Sequence, residues 1–244
     1  VEQVDQAVAK LHLPEEIPVE VSFLETVKER LIQNGIDHLE ALGVTDILVI
    51  PLFVSSGSTH VDEISYALGV KDAPDKETDL KPFRMKARVH FGNPLDDGED
   101  VARMVWDKVR PLSADPAREV ILLVGHGSVH NGFFQRWEQG ISSLARTVQS
   151  VSGIITDHAL LNPESVYDKA AYWNQERGHD VIVAPLFLSS GYFTSHIIPK
   201  RLQGLEYRYS GDPLLPHPLL TSWMDRQVRE LLQSVQKQAR SSHR

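Results

Sequence analysis

Pro51-Leu52-Phe53-Val54-Ser55-Ser56-Gly57 is written again as Pro185-Leu186-Phe187-Leu188-Ser189-Ser190-Gly191, and each copy leads to a histidine, His60 or His196. An apolar run precedes each copy, Ile47-Leu48-Val49-Ile50 or Val181-Ile182-Val183-Ala184. Continuous runs rich in Val and Ile mark strands buried on both faces of a parallel sheet. The Ser-Ser-Gly turns and their histidines then fall past the carboxyl ends of strands, where open α/β sheets bind ligands. Two similar lobes are expected, with a metal or acid–base site between them.

Two more landmarks recur in the same order. Ser22-Phe23-Leu24-Glu25 answers to Ala159-Leu160-Leu161-Asn162, and Gly92-Asn93-Pro94-Leu95 to Gly211-Asp212-Pro213-Leu214. Three ordered matches point to an internal duplication. It divides the chain into lobes 1–113 and 114–244, with 111–118 as the linker. Strands alternating with helices predict a parallel sheet in each lobe.

In the first lobe the pattern predicts a helix over 1–11 and a strand over 19–24. A helix whose apolar face runs from Val27 to Leu42 follows, then strands over 45–53 and 83–91, and helices near 62–68 and 98–109. In the second it predicts strands over 119–124, 153–161, 180–187 and 206–209, with helices over 133–151, after Ser165, near 197 and from Leu220 to Val235. The stretch 73–81 reads as a polar surface loop and the tail after Gln236 as frayed. In this register the first-lobe counterpart of Gly125-His126-Gly127-Ser128 would precede Val1. The first sheet is therefore expected to lack its opening strand, and the natural start to lie upstream.

Composition narrows the chemistry. The 244 residues contain no cysteine, so disulfides and thiolate ligands are excluded, and a metal site must draw on His, Asp, Glu or backbone. A net charge of −8 argues against nonspecific binding of nucleic acid. No apolar stretch reaches the length of a membrane span.

The chemical candidates cluster at the predicted strand ends. Gly125-His126-Gly127-Ser128 is a strand-to-helix turn whose glycines permit close approach of a ligand, and whose imidazole can bind a metal or move a proton. Glu25 and His60 should open onto one edge of the first sheet, where a carboxylate and an imidazole could hold a divalent ion and accept protons. His196 lies farther beyond its Ser-Ser-Gly than His60 does, and Asn162 replaces Glu25, so the second lobe reads as an altered copy. His90, His158 and His217 read as structural. Phe133, Phe134 and Trp137 read as a packing face, and Arg136, Lys200 and Arg201 as surface charges.

These residues together resemble the class II chelatases, in particular the sirohydrochlorin cobalt-/ferrochelatase family, over nearly the whole chain. The resemblance implies an α/β protein of two flavodoxin-like, chelatase-like lobes, with a tetrapyrrole cleft between them. It implies insertion of Co²⁺ or Fe²⁺ into sirohydrochlorin in the cytoplasm, for cobalamin or siroheme synthesis, with no organic cofactor. Glu25, His60 and His126 are then the expected catalytic residues, and these with His196 the expected metal ligands. Ser55, Ser56, Gly57, Gly125, Gly127, Ser128, Ser189, Ser190 and Gly191 are expected to meet the substrate. In the family a second loop histidine often stands where this chain has Phe193. The preferred site is in the first lobe, completed by residues before Val1; the other is in the second lobe, using His126 and His196. No nucleic-acid or membrane partner is expected, and a monomer is, because the duplication can replace a homodimer. Competing readings are a noncatalytic metal or tetrapyrrole carrier, a serine hydrolase lacking the usual nucleophile elbow, and a purely structural interaction domain.

Overall fold

The structure, a computed structural model, describes residues 1–14 and 16–241. In chain order the elements are α1 (Glu2–Val8), α2 (Ile32–Ala41), β1 (Asp46–Val49), α3 (Thr59–Ala67), β2 (Arg88–Phe91), α4 (Glu99–Val109), β3 (Glu119–Gly127), α5 (Phe133–Ser152), β4 (Ile155–Asn162), α6 (Val166–Ala171), β5 (Asp180–Pro185), α7 (Ile198–Arg201), β6 (Tyr207–Arg208) and α8 (Pro218–Ser241). Short 3₁₀ turns occupy Lys28–Arg30 and Arg110–Leu112, and π-helical turns occupy Tyr172–Glu176 and Phe193–Ile197.

The chain forms two compact units. The first comprises Val1–Leu52, Thr59–Pro94 and the residues from Thr221 on; the second comprises Phe53–Ser58 and Leu95–Leu220.

The second unit carries four parallel strands in the order β4-β3-β5-β6. The direction of winding reverses between β3 and β5, which makes a topological switch point at their carboxyl ends. Val120 to Val124 are all 0 % exposed, as a central strand covered on both faces requires. The two-residue period sorts their side chains. Val120, Leu122 and Val124 join Val166 of α6, Ile198 of α7 and Leu202 just past α7 in one core cluster. Gly125, on the opposite face, lies so close to α5 that a Cβ there would meet Trp137 at 2.9 Å and Ile141 at 3.1 Å. The same alternation puts His126 on the α7 side.

The first unit's sheet has two parallel strands, β1 and β2, paired from Asp46↔Arg88 to Val49↔Phe91. Ile36, Ile47, Val61, Ile64 and Ala67 are buried there, as are Met224 and Val228 of α8. Thr221 Oγ1 of α8 donates to the Ala7 carbonyl at 3.1 Å, and the Asp225 carboxylate accepts from the His12 amide at 3.0 Å.

The structure corrects several expectations. Residues 19–24 form no strand; their one ladder contact is a bridge from Phe23 to Leu31. Side chains hold this segment instead. Arg30 stacks over the Phe23 ring at 5.1 Å and donates to the Val21 carbonyl and, as a fork, to Asp5. A Cβ at Gly35 would stand 2.3 Å from Ser22 Oγ, so α2 lies against this segment and a larger residue there would turn the Ser22 hydroxyl away. β1 and β2 are shorter than the predicted 45–53 and 83–91. α3 begins at Thr59, so His60 sits in a first helical turn rather than in a loop. α8 continues to Ser241, past the point where fraying was expected, and the end of the tail lies outside the described residues.

Candidate functional site

Glu25 and His60 come together. Both line a cleft of about 470 Å³ in the first unit, with Leu24, Thr59 and Glu63 and with Lys76, Glu77, Thr78, Asp79 and Leu80. Glu25 follows the 19–24 segment, next to Thr26 at φ 69°. His60 is half-exposed, and its Nδ1 lies 2.6 Å from Glu63 Oε1. The stretch 73–81, read from the sequence as a plain surface loop, forms one wall. It is tied to α3 through Asp62, whose carboxylate accepts from Lys71 Nζ, from the Asp75 amide at 2.9 Å and from the Lys76 amide at 3.4 Å. Sequence reasoning missed Glu63 and this wall. The available signal was helical spacing, since a carboxylate three residues past a histidine shares its face.

The first Ser-Ser-Gly is buried in the second unit. Ser55 is 4 % exposed, and its Oγ accepts from the Gly57 amide at 3.0 Å. The Ser56 amide donates to Asp96 Oδ1 at 2.7 Å. Burial pushes the Asp96 carboxyl above its ordinary range, against the pull of the Ser56 bonds. Gly57 presses on α5, where a Cβ would stand 2.7 Å from the Trp137 amide nitrogen and 2.9 Å from the Phe133 carbonyl. The second copy differs: Ser189, Ser190 and Gly191 are exposed, and a Cβ at Gly191 would meet nothing within 4 Å. Gly57→Ala is therefore expected to cost about 2 kcal/mol, because helix backbone cannot give way as a side chain tip can. Gly191→Ala is expected to be near neutral. Urea melts of the two variants check this, and equal stabilities would refute it.

At the switch point of the second unit, the His126 ring meets Phe193 edge-on, centroid to centroid 5.0 Å. Phe193 also stacks on Phe187 at 5.8 Å. The His196 ring stacks instead on exposed Tyr192 at 5.3 Å. An aromatic ring thus occupies the place beside His126 where a second imidazole would complete a ligand pair. The Ser128 hydroxyl faces its own turn and accepts from the His130 amide at 3.2 Å. Asn162, the counterpart of Glu25, donates from Nδ2 to the His126 carbonyl. Among the described residues no group of three or more His, Asp or Glu could hold a metal ion.

Three further histidines pair with carboxylates. His90 pairs with Asp46 at 2.9 Å, His158 with Glu138 at 2.7 Å and His217 with Asp107 at 3.3 Å. Arg201 pairs with Glu164, and Arg136 covers the Phe133 ring. No helix of the described residues is long and apolar enough to cross a membrane.

Parallel sheets flanked by helices in two related halves, with His60 on the first turn of α3 and His126 at the carboxyl end of β3, define the duplicated chelatase-like class of α/β protein. The CbiX family matches this chain twice, over residues 1–112 and again over 120–231. The chain belongs to the CbiX family of class II chelatases. A sirohydrochlorin ferrochelatase of Bacillus subtilis (strain 168) is 22% identical over 182 residues, which is 74% of this chain and 66% of that protein, just under two thirds of its length. Two solved structures share the fold at 19% identity. SirB from Bacillus subtilis with Fe³⁺ has a TM-score of 0.70 over 94% of this chain and 87% of its own. The sirohydrochlorin chelatase SirB from Bacillus subtilis subspecies spizizenii, in complex with cobalt, has a TM-score of 0.68 over 98% and 93%.

Proposed function

We propose that this chain inserts a divalent metal, Co²⁺ or Fe²⁺, into sirohydrochlorin, serving cobalamin or siroheme synthesis in the cytoplasm. The observation that carries the proposal is the pairing of Glu25 with His60 on one cleft of a CbiX chain. The names of the similar proteins support the substrate and the metals.

Metallation of a tetrapyrrole replaces two pyrrole N–H protons with one divalent ion. The ion must be held loosely enough to leave, and the protons need acceptors nearby. Imidazole and carboxylate do both, whereas thiolates would retain a soft metal. In this reading His60 and Glu25 receive the metal and take up the protons. The exposed Ser189-Ser190-Gly191 loop and the Gly125–Ser128 turn are proposed to meet the substrate, and no organic cofactor is involved. The competing reading, a noncatalytic carrier of metal or tetrapyrrole, would use the same residues without turnover.

Anaerobic absorbance of sirohydrochlorin with Co²⁺ and with Fe²⁺ separates the readings. His60→Ala is expected to slow metallation by about 10²-fold, the usual worth of a positioned acid–base group. His126→Ala is expected to stay within a few-fold. Loss with His126→Ala alone would move the chemistry to the second unit. Pigment that binds without any acceleration over the uncatalysed rate would leave the carrier.

A further inference from the structure

His60 is held by a short relay. Its Nδ1 lies 2.6 Å from Glu63 Oε1, one turn along α3. The other carboxylate oxygen, Oε2, accepts from Thr78 Oγ1 at 2.6 Å, and that hydroxyl oxygen accepts from the Leu80 amide at 3.1 Å. Both oxygens of Glu63 are therefore engaged, by groups from opposite walls of the cleft. Glu63 is the less exposed partner, its side chain 20% accessible against 54% for His60. An ionised carboxylate can only accept, so the proton of the neutral imidazole must sit on Nδ1 and its lone pair on Nε2. Histidines that bind metals commonly have their other nitrogen fixed in this way.

We propose that Glu63, braced by Thr78, is the positioning residue that fixes His60 in the Nδ1–H tautomer and offers Nε2 to the incoming divalent metal. This rests on the reading of His60 as a metal-binding residue. It gives the 73–81 stretch a task, because the Thr78 hydroxyl sets the carboxylate that sets the ring.

The tautomer can be observed in the full chain without substrate, by long-range ¹H–¹⁵N NMR of its histidines at a pH of about 8, where imidazole is neutral. Wild type is expected to show His60 protonated at Nδ1. Glu63→Gln, which keeps the shape but removes the charge, is expected to release the ring to the Nε2–H form. Titration with Co²⁺ alone, followed by visible absorbance, is expected to show affinity falling about tenfold in Glu63→Gln, with circular dichroism unchanged. Glu63→Asp should restore part of that loss. Thr78→Val should weaken Co²⁺ binding in the same direction by a smaller factor, and gives a second route if a Glu63 variant folds poorly. An Nε2–H tautomer in wild type, or folded variants whose Co²⁺ affinities match wild type, would overturn the proposal. A Glu63-dependent tautomer and affinity without any metallation would uphold it and sink the chelatase reading. Metallation with His60 indifferent to Glu63 would do the reverse.

Discussion

Glu119→Ala is expected to destabilise the second unit by about 3 kcal/mol, the lower end of the range for breaking a buried ion pair. Glu119 opens β3 and its side chain is 0% exposed. Its carboxylate accepts from Ser113 Oγ at 2.5 Å, from the Ala114 and Asp115 amides at 2.6 and 2.9 Å, and from Arg208 Nη1 at 2.8 Å. One side chain thus ties the stretch before β3 to β6. The cost stays at the lower end because Arg208 is partly exposed and keeps Asp180 at 2.8 Å. Burial works to raise the Glu119 carboxyl, but its hydrogen bonds and Arg208 outweigh it and hold the group at about 2, against an ordinary 4.5. A lowered carboxyl stabilises the fold above its unfolded pKa and ceases to do so as pH falls through the folded one. The stability gap between wild type and Glu119→Gln should therefore be constant above about pH 5 and close between about 4.5 and 2. Urea melts across that window measure it, and a gap that did not narrow would refute the assignment.

Gly127→Ala is expected to cost at least about 3 kcal/mol, from left-handed backbone and a backbone clash together. Gly127 has φ +73°, and a Cβ there would stand 2.1 Å from the Asn162 carbonyl oxygen and 3.0 Å from Leu160 Cβ. Gly127↔Asn162 is the last pair of the β3–β4 ladder, so relief would have to come from parting β3 and β4 at their carboxyl ends. Gly153→Ala isolates the first contribution. Its backbone is left-handed, φ +75° and ψ 3°, with nothing within 4 Å of the added Cβ, and it should cost only about 1 kcal/mol. Thermal melts of the two variants settle the comparison; similar losses would show that the close approach to Asn162 carries no energy. His126 should respond as well, since Asn162 Nδ2 donates to its carbonyl. An altered His126 NMR signal in Gly127→Ala but not in Gly153→Ala is expected.

Much of the fold was legible because it depends on local pattern. The run from Val120 to Val124 could only be a strand covered on both faces, and the spacing along α4, α5 and α8 fixed their apolar sides. The 19–24 segment misled for a physical reason. Its alternation suits a strand, but a strand exists only with a neighbour to bond, and here only Phe23 finds one, in a bridge to Leu31, while Arg30 anchors the segment through Val21 and Phe23. The repeated Ser-Ser-Gly was equally legible as a motif and opaque in its environment. One copy is pressed against the α5 backbone and the other is open to solvent, and nothing in the seven matched residues distinguishes them.

The site divides along the same line. Residue types and their order along the chain supplied Glu25, His60 and His126 as candidates, because imidazoles and carboxylates beyond apolar runs are a chemical pattern that survives in one dimension. Which of them meet was set by tertiary packing. Phe193 lies across His126, Tyr192 takes up His196, and the loop at Thr78 folds back onto α3 to brace Glu63 behind His60. The sequence by itself determined the duplication, the class of sheet and the kinds of ligand available, since these follow from periodicity and composition. Only the tertiary structure decided that Glu25 shares its cleft with a braced histidine, because such contacts join residues far apart in the chain that no local preference connects.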